Sequence, residues 1–356
     1  MQKFLSTAVT AASVLAFVSV GLAPASAADE SVRADISMTP SAGKLFRELP
    51  RPVEWRVEAE VTAPPESPLV LPMKRIRVSF PEEMSFHPDR SMPVCPDSSV
   101  GPPPTYISEP PETIIARCPE SVIGNGTSSV YLAALNRPTG PGLTDGELVI
   151  FNGGRFQDGS PRLKVYGFSA SLATGIYFEG RMKKNILRVD IGQLPVDSSV
   201  GAFDLNIPGN SSPFPERRGK DPDYVRATCA DREWSSFTDF TLGRRDSDGT
   251  PFGVESVVRS NQVLKPCEGV RGRARLKVVR SREVSGPGVS SRYRVTLRNV
   301  GTASAREIVV KARGKGLKGT ARVARIAPGR SRTVTVRIQS RPGAAGTPKF
   351  KLRFRG

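Results

Sequence analysis

The sequence predicts an all-β protein in two parts, a disulfide-stapled antiparallel β-sandwich over residues 28–270 and a smaller β-sandwich over 271–356. Three observations lead there. Apolar and polar residues alternate with period two in many short runs, and no run has a convincing amphipathic helical spacing. Turn-forming residues separate the runs, with 32 Pro and 33 Gly among 356 residues. Four cysteines occur in a chain whose first residues read as an export signal.

That signal covers residues 1–27. Lys3 supplies the positive start, residues 4–22 are largely apolar and small, and Ala25-Ser26-Ala27 fits the small-x-small cleavage pattern, so the cut is expected after Ala27. An uncleaved anchor is the weaker alternative, because the apolar run is short and rich in Ala and Ser. No Cys follows the cut, which argues against a lipoprotein, and no later stretch approaches the ~20 apolar residues of a membrane span. No hydrophobic sorting tail closes the chain. The expected product is secreted, with no transmembrane segment after signal removal, and either released or held non-covalently at the cell wall.

In the first part, Val53, Trp55, Val57, Ala59 and Val61 alternate with Glu54, Arg56, Glu58 and Glu60, which predicts a half-buried strand. Ile76, Val78 and Phe80 continue the pattern after Pro64-Pro65 and Pro72. Two related boxes follow, Cys95-Pro-Asp-Ser-Ser-Val-Gly101 and Cys118-Pro-Glu-Ser-Val-Ile-Gly124, with a Pro-rich stretch of sixteen residues between them. In each box Pro removes a backbone donor, the acid and Ser can cap a turn, and Gly can take positive φ. The intervening stretch, with Pro102-Pro-Pro104, Tyr106 and Glu109-Pro-Pro-Glu112, reads as an extended exposed loop. It is either a passive connection or a rigid recognition loop.

Further strands are expected at 128–132, 147–151, 162–168, 176–178, 186–191 and 201–207. Asp197-Ser-Ser-Val-Gly201 echoes the first box without its Cys and reads as a turn rather than a repeat. Residues 208–223 read as a long loop. Cys229 to Cys267 frames a last segment with a hairpin turn at Asp248-Gly249 and with Trp234, expected in the core beside a disulfide. Four cysteines in an exported chain form two bridges in one of three pairings. Nearest-neighbour pairing, Cys95–Cys118 and Cys229–Cys267, is expected. Chain-entropy arithmetic gives roughly 3.4 and 3.9 kcal/mol for the two loops.

In the second part Ala274, Leu276 and Val278 alternate with Arg273, Arg275 and Lys277. Tyr293, Val295 and Leu297 alternate with Arg and Thr, as do Ile308, Val310 and Ala312 with Lys311 and Arg313. Val334, Val336 and Ile338 follow, then Phe350, Leu352 and Phe354 between Lys349, Lys351, Arg353 and Arg355. About seven strands in this length suit an immunoglobulin-like sandwich. Residues 271–356 carry 24 Lys/Arg against Glu283 and Glu307, while residues 1–270 carry 28 against 32 acids. The net charge of +18 therefore splits into +22 and −4.

The run Tyr293-Arg-Val-Thr-Leu-Arg-Asn-Val-Gly301, then Ala303 to Val310 and Ile326-Ala-Pro-Gly329 before Thr333-Val-Thr-Val-Arg337, resembles the CARDB family of cell-adhesion-related bacterial domains. The likeness covers about a quarter of the chain and implies a spacer or adhesive module on an exported protein. The Cys-Pro region resembles exported actinobacterial proteins of unassigned role.

Chemistry has few handles. His87 is the single His, too little for a zinc site or a Ser-His-Asp triad, and no GxSxG elbow supplies a nucleophile. Asp246-x-Asp248-Gly249 is a hairpin fragment rather than a calcium loop. The pairs Glu82-Glu83 and Asp221-x-Asp223 carry no sign of a glycosidase separation. Asn125-Gly-Thr127 and Asn210-Ser-Ser212 fit only the weak glycosylation pattern. No metal or cofactor is expected.

The expected function is that of an exported, non-enzymatic binding or structural protein, associated with the cell surface or matrix through its basic domain. Arg273, Arg275 and Lys277, next to Lys349, Lys351, Arg353 and Arg355, would bind an anionic surface polymer or polysaccharide. Nucleic acid is not expected, given export and no aromatics interleaved with the charges. A basic surface kept for solubility is the plainer alternative. The competing function is an exported polysaccharide hydrolase anchored by the same domain, which would show a groove with two facing carboxylates.

Overall fold

The alternation at 53–61 folds as a strand with Val53, Trp55, Val57, Ala59 and Val61 buried on one face. The computed structural model describes residues 30–356 apart from 87–92, 102–104, 133–134, 192–193, 195–196, 208–223, 231–232, 247–249 and 286–289. The expected leader, His87, Asn210-Ser-Ser212, Asp221, Asp223 and Asp248-Gly249 lie outside the described residues.

Among the described residues, fifteen strands join one antiparallel sheet. They are β1 (Ser31–Pro40), β2 (Arg51–Thr62), β3 (Met73–Ser79), β4 (Met84–Phe86), β5 (Thr105–Ile107), β6 (Val122–Tyr131), β7 (Leu143–Arg155) and β8 (Pro161–Ser169). The rest are β9 (Thr174–Lys183), β10 (Ile186–Asp190), β11 (Ser199–Ile207), β12 (Val225–Ala227), β13 (Glu233–Arg245), β14 (Pro251–Arg259) and β15 (Val263–Pro266). The hydrogen-bonded path runs β14-β13-β3-β10-β9-β8-β7-β6-β11-β2, and β1 continues it beyond β2. The expected two layers are thus one continuous sheet folded over on itself. β1 comes round to meet β13, β14 and β15. There the Asn261 amide accepts from the Ala34 N–H (3.0 Å) and donates to the Ala34 carbonyl (3.2 Å), satisfying an edge that would otherwise be bare.

The inner face holds the main core, with Trp55 and Trp234 both buried. A second core lies on the outer face of β7–β9, under the stapled segment. Both expected disulfides form, Cys95–Cys118 and Cys229–Cys267. The first bridge packs with Val100 and Ile114 against Val149, Phe151, Tyr166 and Tyr177.

Pro102-Pro-Pro104 lie outside the described residues, and from Thr105 on the Pro-rich stretch is not the extended, exposed loop that its composition implies. β5 pairs with β9, and Pro111 opens a short helix, α2 (Pro111–Arg117), whose Ile114 is fully buried. Proline at the first helical position carries no donor that the helix would need. The acid of the first box does not cap its turn either. Asp97 begins a single helical turn, α1 (Asp97–Val100), closed by Gly101 at φ 76°. Its carboxylate reaches the buried Lys164 at 2.6 Å and Arg162 at 2.9 Å, and Arg162 also meets Glu179. The second box does use its Ser, since Ser121 Oγ donates to the Cys118 carbonyl at 2.7 Å. Asp197 stands in a turn, as expected, with φ 57° and Arg244 on its carboxylate.

Among the described residues six strands form the second sheet: β16 (Leu276–Ser285), β17 (Ser290–Asn299), β18 (Ala305–Gly314), β19 (Leu317–Ile326), β20 (Ser331–Ser340) and β21 (Lys349–Arg355). Their order is β16-β17-β20-β19-β18-β21. β19 and β20 pair only from Leu317 to Gly319, so the sheet turns a corner there and folds into two three-stranded layers. Val295, Leu297, Ile308, Val310, Val336 and Ile338 fill the space between them. The count is six where about seven strands are expected, because ten-residue strands use up the length.

The two sheets meet through the 41–50 connection. Phe46 bridges to Val270, and Glu48 accepts from the Ser304 N–H at 2.7 Å, with Arg325 and Arg306 at 3.7 and 3.8 Å. The hydrogen bond from Ser304 holds the Glu48 carboxyl below its usual range. Glu48→Ala is expected to cost roughly 1 kcal/mol and to loosen the joint, with both folded units intact. NMR relaxation would show two tumbling times in the variant. A single time, as in the parent, would mean that the joint is held elsewhere.

Candidate polyanion-binding face

The strand order relocates the expected basic site. β21 pairs with β18 and not with β16, so Lys349, Lys351 and Arg353 stand beside β18 rather than beside Lys277 of β16, while the chain end after Arg355 approaches Ala274, between Arg273 and Arg275. The first and last strands are the two ends of the hydrogen-bonded path. All seven residues are exposed, as expected, with Lys277 in the β16 layer and Lys349, Lys351 and Arg353 in the β18 layer. Lys277 stands beside Arg298 of β17. The backbones of Arg273 and Arg275 are hydrogen-bonded to the 299–303 turn.

The neighbours of β21 are β18 and, beyond it, β19. Alternate residues of all three strands turn Ile308, Val310, Ala312, Val323, Phe350 and Leu352 inward, which turns Lys and Arg outward. The register then lines the cations up in rows. Lys318, Arg313 and Lys349 are cross-strand neighbours, as are Lys311 and Lys351, and Arg325, Arg306 and Arg355. Arg322 and Arg353 flank Val309. Rows lie about 7 Å apart along a strand and strands about 4.8 Å apart, so ten cations tile one surface.

The acids cluster at one end of this face. Glu307 pairs with Arg355 at 3.1 Å, and Glu48 lies near Arg306 and Arg325. Among the described residues no ion pair reaches Lys311, Arg313, Lys318, Arg322, Lys349, Lys351 or Arg353. Like charges set directly opposite each other weaken a sheet. This arrangement therefore opposes the domain's stability while giving a polyanion a regular array of charges to neutralise.

Among the described residues of the larger region a polar groove of about 580 Å³ lies on the outer face of β1, β2, β11 and β6. Asp35, Glu58 and Asp204 stand in one cross-strand row there. Arg56 forks onto Asp204 at 2.9 and 2.7 Å and also meets Glu58 at 2.8 Å, while Lys265 holds Asp35 at 2.9 Å. Each of these three carboxylates is thus engaged by a cation. Burial, with Glu112 nearby, does hold the Glu147 carboxyl above its usual range, but Glu147 is not part of this groove. Among the described residues no group of three or more His, Cys, Asp or Glu could hold a metal ion, and no helix is long and apolar enough to cross a membrane.

Several carboxyls are held below their usual range in the folded state. The hydrogen bond from Lys164 does this for Asp97, and the Ser171 N–H does it for Asp145. At Asp190 burial pushes upward, and the hydrogen bonds from Arg188 and Arg75 outweigh it. A depressed carboxyl stabilises the fold above its unfolded pKa, about 3.9 for Asp, and that stabilisation is lost as pH falls through the folded value. The melting temperature is expected to stay level from pH 7 to about 5 and to fall steeply below about 4. Calorimetry across that range checks it, and a level profile down to pH 3 would refute it.

Comparison of the chain with known protein families and with curated proteins finds no match.

Proposed function

We propose that this is an exported, non-enzymatic binding protein held at an anionic cell-surface or matrix polymer by the β19–β18–β21 face. The observation that carries this reading is the set of seven cations without acid partners, in adjacent rows on one layer of a domain with only two acids. The occupant is a polymer with repeated phosphate or carboxylate groups, since a single small anion would leave most rows unmatched. The domain's resemblance to CARDB modules agrees with a surface-associated role. The cation-held carboxylates of the polar groove give the hydrolase reading little support.

Pull-down of the full chain on purified bacterial cell-wall material, with and without its phosphate polymers, tests the proposal. Binding at low salt, release by a few hundred millimolar NaCl and loss after polymer removal are expected. No binding even at low salt would overturn it.

A further inference from the structure

The inner face of the folded sheet does not fill the space that it encloses. One end is closed by aromatic rings: Trp55 stands edge-on to Phe80 at 5.2 Å and to Phe86 at 5.9 Å, and Phe86 edge-on to Tyr224 at 5.7 Å. Towards the other end, where β6 and β8 finish and β7, β9 and β11 begin, a cavity of about 430 Å³ remains. Its wall is almost entirely apolar, with Val130, Leu148, Phe178, Val189, Phe203 and Leu205 from five strands.

One lining position is a glycine against which Leu148 packs closely. Gly167 lies in the middle of β8 and lines the cavity. A Cβ there would meet the Leu148 side chain at 2.9 Å and those of Phe178 and Ile176 at 3.8 and 3.9 Å. Its φ is not in the left-handed region, so the backbone does not demand glycine. Glycine in a strand interior weakens the strand and often marks close approach of a ligand. A large apolar void is costly when empty, and water finds few partners in it.

The buried Asn136 amide donates to the Val70 and Asp197 carbonyls at 2.9 and 2.6 Å and accepts from the Val70 N–H at 3.0 Å, which pins the β6–β7 connection. The turn between β8 and β9 carries Leu172, 44% exposed although it lines the cavity. Asp145 sits beside this turn, accepting from Ser169 Oγ at 3.0 Å and from the Ser171 N–H at 2.7 Å.

We propose that the cavity binds one lipid-like apolar chain, which enters beside Leu172 and leaves an uncharged head group next to Asp145. The volume is in the range of sites that bury a small ligand in a β-barrel mouth, and the apolar wall selects a hydrocarbon body. The Asp145 carboxylate at the mouth disfavours an anionic head by charge repulsion. This site goes beyond the surface tether proposed above and stands independently of it.

Titration of the full chain with all-trans-retinol, a fluorescent chain with a neutral head, tests the proposal. One retinol per chain is expected, with retinoic acid binding at least five-fold more weakly and Asp145→Asn narrowing that gap. Gly167→Leu and, separately, Leu205→Phe place bulk in the cavity and are expected to weaken retinol at least ten-fold while leaving polyanion binding unchanged. Should one of these two fail to fold, the other decides. No retinol binding by the parent, or equal binding by a folded, filled variant, would overturn the cavity assignment. Equal or tighter binding of retinoic acid would overturn the head-group assignment.

Discussion

Replacing Lys311, Arg313, Lys349 and Lys351 together with Gln is expected to weaken binding to immobilised long-chain polyphosphate on the order of a hundred-fold or more at physiological salt. These four form two adjacent rows of β18 and β21 and have no acid partner among the described residues. Each phosphate contact releases about one counterion, so four lost contacts should also flatten the dependence of log affinity on log salt by as much as three to four units. The same change should leave the domain equally stable or stabilise it by up to about 1 kcal/mol, because it removes like charges set across strands. Binding and stability then move in opposite directions, which a variant that merely damaged the fold would not show. Isothermal titration and thermal melting of the same sample read both.

Asn299→Ala is expected to destabilise the second unit by about 3 kcal/mol or more and to lower its melting point by roughly 15 °C. Asn299 is fully buried, and its amide uses all of its bonding capacity. Nδ2 donates to the Ala303 carbonyl at 2.8 Å and the Ile326 carbonyl at 3.0 Å, while Oδ1 accepts from the Arg275 N–H at 3.2 Å and the Gly301 N–H at 3.0 Å. One side chain thus ties the strand entering the domain to both the Asn-Val-Gly turn and the Ala-Pro-Gly turn. Alanine leaves four backbone groups without that partner. Calorimetry should show the melting of the second unit shifted and that of the fifteen-stranded unit unmoved. A shift of only a few degrees would mean that water or a backbone rearrangement replaces the clamp.

Strands were legible where large apolar residues alternate with charges, as in β2, β17, β20 and β21. β19 leaves little pattern because two of its inward positions are Gly319 and Ala321, so Lys318, Thr320 and Arg322 alternate with residues that barely register as apolar. Without β19 the local pattern cannot show that β21 pairs with β18 and stands next but one to β19. The six cations added by structure, Arg306, Lys311, Arg313, Lys318, Arg322 and Arg325, follow from strand adjacency that local pattern does not encode. Composition misled in the Pro-rich stretch, where Pro111 starts a helix instead of prolonging an extended loop. The disulfide pairing was legible because loop closure favours near neighbours. The continuity of the first sheet depends on distant pairs such as β3 with β13 and β2 with β11, and the cavity on side-chain volume that is missing. Neither leaves a periodic trace.

The tether claim is tested most directly by comparing two variants of equal charge on the same polyphosphate surface. One carries Gln at Lys311, Arg313, Lys349 and Lys351, and the other carries Gln at Lys277, Arg294, Arg298 and Arg337 on the opposite layer. The account predicts that the first loses binding and salt dependence while the second stays within a few-fold of the parent. Equal losses in both would contradict it, because net charge alone, with no particular face, would then explain the attraction.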